Sequence, residues 1–148
     1  MRLARWVFGI AGIWGTISLV PDYFMEGRIA REYPPAITHP EFYYGFIGVA
    51  LVWQFGFFLI ASDPERFRPF MWLGIGEKLS FVLAAMALYA QGRLPQILLP
   101  FAVLDLAFAG AFFWAWIAVG KRELAVSGAE LAAGGKHPAT SHTLTASR

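Results

Sequence analysis

The chain has 148 residues, of which 57% are hydrophobic, 17% aromatic and 15% charged, and its formal net charge is +2. Soluble domains are about 45–50% apolar and about 25% charged, so this composition indicates a protein that faces lipid. Four spans of roughly 20 residues would leave no room for a soluble catalytic domain. The small net charge argues against nucleic-acid binding, and the absence of cysteine excludes thiolate catalysis and disulfides.

Four apolar stretches predict transmembrane helices, at residues 4–20, 42–61, 69–90 and 96–119. The first follows Arg2 and Arg5, as the apolar region of a signal peptide would. It ends at Pro21 without a small-x-small cleavage pattern, so we interpret it as a retained span, with cleavage as the alternative.

The connections predict how the spans are joined. Residues 21–40 are polar, with a short interfacial helix expected around Tyr23 to Glu32 and stopped by Pro34 and the proline after it. The short charged loop at 63–68 predicts that spans two and three are antiparallel neighbours, and residues 91–95 predict a tight turn.

The sequence therefore predicts an all-α integral membrane protein, an antiparallel bundle of four transmembrane helices. The membrane domain covers residues 1–122. Residues 123–148 are expected to form a cytoplasmic tail without regular structure, because the chain from Ser127 is rich in Gly, Ala, Ser and Thr.

Lysine and arginine counts predict the orientation. One side holds eight of them: Arg2, Arg5, Arg66, Arg68, Lys121, Arg122, Lys136 and Arg148. The other side holds three: Arg28, Arg31 and Arg93. Since basic residues concentrate on the cytoplasmic side, both termini are expected in the cytoplasm.

Four polar side chains lie inside the predicted spans: Gln54, Glu77, Lys78 and Asp105. Ionised groups in a bilayer are costly and usually face the bundle interior. At about 1.5 Å per residue, all four lie within roughly 5 Å of the mid-plane, which predicts one polar layer. Such a layer either holds the helices together or forms a functional site.

The charges in this layer single out one carboxyl group. Two acids and one lysine leave an excess negative charge, so we expect one carboxyl to be neutral, or to titrate near neutral pH, and to donate to a ligand or relay protons. Glu77 is the candidate, because Lys78 should point about 100° away from it around the helix.

Glycines recur every three residues in span one, at Gly9, Gly12 and Gly15. They predict close helix packing, with a docking surface for a partner as the alternative. The aromatic side chains of the spans either line an apolar pocket or, as we favour, face lipid and fill the bundle.

Histidine is absent from the spans, which excludes a histidine-ligated haem there. His39 and Glu41, just outside span two, predict an interfacial hydrogen bond, with a binding site as the alternative. His137 and His142 in the tail are expected to hold no metal, because no rigid scaffold fixes a ligand geometry.

Several short motifs resemble those of small bacterial DoxX-like membrane proteins. They are Tyr44 to Gly48, Trp53-Gln54, D-P-x-R-x-R-P at 63–69, Glu77-Lys78 and Asp105. The resemblance covers residues 6–119 and implies a four-helix bundle in the bacterial inner membrane. Some members are linked to quinone-coupled redox chemistry or accessory roles, and the lack of cysteine here argues against a thiol-based version.

The leading hypothesis is a non-enzymatic or accessory protein whose polar layer lines a small apolar cavity for a lipid-like or quinone-like molecule. An enzyme or proton-coupled carrier that uses Glu77 as the titrating group is one alternative. The other is a structural subunit, joined to a membrane-protein partner or to a second copy through the glycine face of span one.

Overall fold

The computed structural model describes residues 2–34 and 36–134, and all regular structure in those ranges is helical. The helices are α1 (Arg2–Leu19), α2 (Glu26–Glu32), α3 (Pro40–Ser62), α4 (Met71–Ala90) and α5 (Leu99–Gly134). Single turns of 3₁₀ helix precede three of them, at Pro21–Phe24, Arg68–Phe70 and Gln96–Leu98. The four predicted spans correspond to α1, α3, α4 and α5.

Proline and glycine set two of the helix boundaries. Pro40 is the first residue of α3, where its missing N–H and fixed φ are compatible with a helix start. After α4, Gly92 has a φ of 67°, which favours glycine. Its N–H donates to the carbonyl of Tyr89, and the N–H of Arg93 donates to that of Leu88, both at 2.9 Å. These two bonds form a Schellman motif and account for the tight turn predicted at 91–95.

The last helix differs from the prediction. It continues to Gly134, so residues 123–134, expected to lack regular structure, are helical. The physical reason is local composition, because Ala, Leu and Glu are strong helix formers and dominate this segment. Residues 135–148, with His137 and His142, lie outside the described residues.

The connection before α3 contains the expected short helix, interrupted at Met25 between the 3₁₀ turn and α2. Two tyrosines at the start of α3 hold it in place. The Tyr43 hydroxyl donates to the backbone carbonyl of Asp22, and the Tyr44 hydroxyl donates to Glu26 Oε2 at 2.8 Å. The connection therefore folds back over the end of the bundle.

The four long helices form a ring in the order α3, α1, α5, α4. The seams between α1 and α3 and between α4 and α5 are extensive, and α1 also packs along α5. The seam between α3 and α4 is the thinnest of the four. These two helices were predicted to be neighbours, and they adjoin in the ring with little direct packing.

Three fully buried phenylalanines mark the centre of the bundle. Phe8 of α1 and Phe112 of α5 stack with ring centroids 4.1 Å apart, and Phe57 of α3 meets Phe112 edge to face at 5.1 Å. α4 contributes Gly74, where an added methyl group would lie 3.1 Å from the Phe57 ring. A small residue here lets the fourth helix close on the three rings.

The glycines of α1 pack against α3. A methyl group added at Gly12 would overlap the Phe58 ring, and one added at Gly15 would overlap the Gln54 carboxamide, whereas Gly9 has open space. Further along the chain, Tyr23 meets Gly48. As the residue number increases from Gly12 to Tyr23, the number of the contacted residue in α3 decreases from 58 to 48. Two of the three glycines are used inside the bundle, which leaves them unavailable to a partner.

The outward surface of the bundle is strongly apolar. Four helical segments are long and apolar enough to cross a bilayer: Arg2–Phe24, Pro40–Ser62, Arg68–Ala90 and Gln96–Ala132. Large side chains such as Trp6 and Trp114, each 69% exposed, point away from the core. Contiguous exposed apolar surface of this kind is unfavourable in water, and it fits a multi-pass membrane protein.

Candidate functional site

Three of the four predicted polar residues form one ion cluster between α4 and α5. The Lys78 Nζ lies 3.3 Å from Glu77 Oε2 and 3.1 Å from Asp105 Oδ1. The lysine residue is 7% exposed, and each carboxylate side chain is 18% exposed. The contact with Asp105 joins α4 to α5 through the lysine side chain.

The direction predicted for the Lys78 side chain is wrong. Lys78 was expected to point away from Glu77, yet its Nζ contacts that carboxylate. The Cα–Cβ bonds of adjacent helical residues do diverge by about 100°, but the four-carbon stem of lysine is long enough to bend back. The ammonium also lies 5.5 Å from the centroid of the Phe57 ring, so the part of α3 that faces it is aromatic.

Glu77 and Asp105 are not equivalent in this cluster. Glu77 Oε2 is buried, and no donor among the described residues forms a hydrogen bond with it. Its contact with Lys78 is within ion-pair distance only. Asp105 has the shorter contact with the ammonium. The two carboxyl groups therefore differ in that Glu77 has the buried oxygen and Asp105 has the shorter contact with the ammonium.

Gln54 lies apart from the ion cluster, at the seam between α1 and α3. It is 2% exposed, and its Nε2 donates to the Ala50 carbonyl one turn earlier at 2.8 Å. Its Oε1 is buried against Gly15 and accepts no hydrogen bond from the described residues. The structure thus joins Glu77, Lys78 and Asp105 and places Gln54 against a different helix.

A narrow apolar groove follows the thin seam between α3 and α4. Its volume is about 230 Å³. Its walls are Val52, Trp53, Gly56, Leu59 and Ile60 of α3 and Phe70 and Leu73 of α4. None of the four predicted polar residues lines it. Glu77, however, lies one helical turn beyond Leu73, about 40° away around the α4 axis.

A second hollow lies at the other end of the bundle, between Tyr89 of α4 and the first turns of α5. Its volume is about 770 Å³, but it is shallow and broadly open to the outside. The groove between α3 and α4 is smaller and more enclosed, which makes it the better candidate for holding one molecule.

Arg68, which the sequence marks only as a positive charge, forms a clamp between the start of α4 and α5. Its Nε donates to the Trp116 carbonyl at 3.2 Å, and its Nη1 donates to Glu123 Oε2 at 3.0 Å. The guanidinium lies 4.6 Å from the Trp116 ring centroid. A methyl group added at Gly120 would overlap it. Trp116 and Glu123 are seven residues apart, or two helical turns, which is the only sequence signal for this arrangement.

His39 and Glu41 form the expected hydrogen bond at the start of α3, with 3.1 Å between Nδ1 and Oε1. Both side chains are about two-thirds exposed, at 67% and 64%. An exposed pair of this kind contributes little and does not enclose a ligand.

No family model, curated protein or solved structure matches this chain. The likeness to DoxX-like proteins therefore stays a prediction from short motifs.

Proposed function

We propose that this chain is a multi-pass protein of a bacterial inner membrane, an antiparallel bundle of four transmembrane helices with both termini in the cytoplasm. Four long apolar helices with outward-facing tryptophans support insertion. The opposed numbering of contacts between α1 and α3 supports antiparallel packing. The excess of lysine and arginine at one end supports the orientation.

The topology has a direct test, because the natural chain contains no cysteine. Single cysteines are introduced at the exposed positions Ala36 and Ser127, and intact spheroplasts are treated with a membrane-impermeant maleimide. Ala36→Cys should be labelled, and Ser127→Cys should be labelled only after lysis. The reverse pattern would refute the orientation.

We further propose that the protein binds one small amphipathic molecule, lipid-like or quinone-like, and acts as a binding or accessory protein. The observation that carries this proposal is the course of the groove between α3 and α4. It is apolar along its length, and its Leu73 wall leads to Glu77, one turn further along α4. A ligand with an apolar body and a polar head matches this order of surfaces.

The size of the groove limits the ligand. Sites for drug-sized molecules are about 300–1,000 Å³, and this groove is about 230 Å³. It fits one apolar chain or one ring and is too small for both chains of a diacyl lipid. Trp53 and Phe70 supply flat apolar walls, on which a ring or a chain can pack.

Filling the groove tests this proposal. Gly56 lines it, and a methyl group added there meets only the Trp53 ring at an ordinary 3.8 Å. Gly56→Leu should therefore fold and occupy the groove. Gly110→Leu is the matched control, because Gly110 lies in α5 with nothing within 4 Å of an added methyl group.

Native mass spectrometry of the detergent-purified protein with decylubiquinone gives the readout. The natural protein and Gly110→Leu should each retain one molecule of the quinone, and Gly56→Leu should retain none. Equal retention by all three proteins would show that the groove is not the binding site.

A further inference from the structure

The ion cluster has an unbalanced set of charges. Two carboxyl groups face one ammonium, with Lys78 Nζ 3.3 Å from Glu77 and 3.1 Å from Asp105. If both carboxyl groups were ionised, the cluster would carry a net negative charge in apolar surroundings. A charge without a counterion costs several kcal/mol in such a place. One bound proton would remove it.

The other helices packed against the cluster supply no compensating charge. α3 faces it with the Phe57 ring, and its nearest buried polar side chain, Gln54, is neutral. The ionisable residues of α1 are Arg2 and Arg5, both exposed in its first turns. The net charge of the cluster therefore depends on the residues of α4 and α5.

The contacts of the two carboxyl groups and their positions in the bundle assign the proton to one of them. Asp105 has the shorter contact with the ammonium, which stabilises its ionised form. Glu77 Oε2 is buried and accepts no hydrogen bond from the described residues. The Lys78 ammonium is 3.3 Å from this oxygen, but Glu77 shares it with Asp105, so an ionised Glu77 would be incompletely paired. A protonated carboxyl group needs an acceptor instead. Glu77 also lies on the α4 face that leads into the groove.

We infer that Glu77 holds the single proton of the cluster on Oε1, the oxygen turned away from Lys78, and donates a hydrogen bond from it to a neutral ligand head that carries a carbonyl oxygen. The ligand part of this inference rests on the proposed binding function. With Glu77 neutral, Lys78 and Asp105 balance each other, so the cluster offers no net attraction to a charged head. A head with donors alone would leave the Glu77 hydroxyl unpaired.

Infrared spectroscopy locates the proton without any ligand. The protein is measured at neutral pH in a detergent free of carbonyl groups. We expect a protonated-carboxyl band equal to one group per chain. Labelling glutamate with heavy carbon at the side-chain carboxyl should shift the band, and labelling aspartate should not. A band that follows the aspartate label, or no band, would overturn the inference.

Removing the counterion tests the charge balance. In Lys78→Met both carboxyl groups lack a positive partner, so the band should about double in area, because each carboxyl then sheds its charge by binding a proton. An unchanged band would show that Lys78 does not set the charge of the cluster.

Two ligands then test the hydrogen bond and distinguish its sources, a quinone ring and a lipid ester. Decylubiquinone or methyl oleate, an ester with a single apolar chain, is added to the labelled protein, and the ligand of the matching class should move the Glu77 band to lower frequency. Glu77→Gln keeps a donor and should bind that ligand within a few-fold of the natural affinity. Glu77→Leu keeps the bulk and should bind it about tenfold more weakly.

A failure of the Glu77 inference and a failure of the proposed binding function give different results. Binding of either ligand without a shift of the Glu77 band would overturn the inference and leave the groove function standing. A glutamate band with no binding of either ligand would refute the proposed function and leave only the proton on Glu77.

Discussion

Replacing Gly120 by alanine should destabilise the protein, although alanine is the better helix former. Gly120 lies inside α5, where Gly→Ala is expected to stabilise a helix by about 1 kcal/mol. The added methyl group, however, would overlap the Arg68 guanidinium and force it away from α5.

The interactions between Arg68 and α5 set the magnitude. The hydrogen bond to the Trp116 carbonyl is worth about 1 kcal/mol. The contact with the Trp116 ring adds about 0.5–1 kcal/mol. The ion pair with Glu123 is partly exposed, at 27% and 40%, so it contributes at most about 0.5–1 kcal/mol. Losing all three, about 2–3 kcal/mol, exceeds the gain in helix propensity and leaves a net cost of about 1–2 kcal/mol.

Gly110→Ala is the matched control, because its methyl group meets nothing and should give the helical gain alone. Thermal unfolding in one detergent, followed by far-ultraviolet circular dichroism, should rank Gly110→Ala above the natural protein and Gly120→Ala below it. In an Arg68→Ala background, Gly120→Ala should become stabilising, because nothing remains to be displaced. If Gly120→Ala matched Gly110→Ala in the natural background, the Arg68 clamp would contribute no stability.

Three further substitutions probe other contacts. Gly15→Ala should lower the unfolding temperature, because its methyl group overlaps the Gln54 carboxamide, while Gly9→Ala meets open space and should not; equal effects would exclude close packing at this seam. Lys78→Met should lower the unfolding temperature more at alkaline than at mildly acidic pH, because two carboxyl groups would then ionise without a partner; a pH-independent loss would contradict an electrostatic role. Tyr44→Phe removes the hydrogen bond to α2 and should cost about 1 kcal/mol, read as faster proteolysis of residues 26–34; unchanged proteolysis would show that this bond does not hold α2.

The helical architecture could be predicted because it depends on local properties. Long stretches of apolar residues predict the four spans. Pro40 and Gly92 set a helix start and a helix end through backbone geometry alone. The end of α5 could not be placed this way. The Gly, Ala, Ser and Thr residues from Ser127 onward predict a tail without regular structure over residues 123–148, whereas the helix propensity of residues 123–134 extends the helix to Gly134.

The residues of the candidate site could be predicted from the sequence, but their arrangement in space could be predicted only in part. Sequence alone identified Glu77, Lys78 and Asp105, because ionisable groups in apolar helices are costly and face inward. It also grouped Gln54 with them on depth, and depth along a helix does not say which neighbour a side chain meets. That depends on rotation about the axis, which packing fixes. Packing turned Gln54 towards the glycines of α1.

The sequence alone therefore predicts a protein of membrane-type composition, the number of its long apolar helices and the charges buried among them. Each follows from composition or from periodicity within one segment. Three features become apparent only in the folded molecule: the order of the helices around the ring, the thin α3–α4 seam with its groove, and the contact of Arg68 with α5 beside Gly120. These depend on contacts between residues far apart in the chain, such as Arg68 and Glu123, which are 55 positions apart. Their shapes must fit in three dimensions, and no local pattern in the chain encodes that fit.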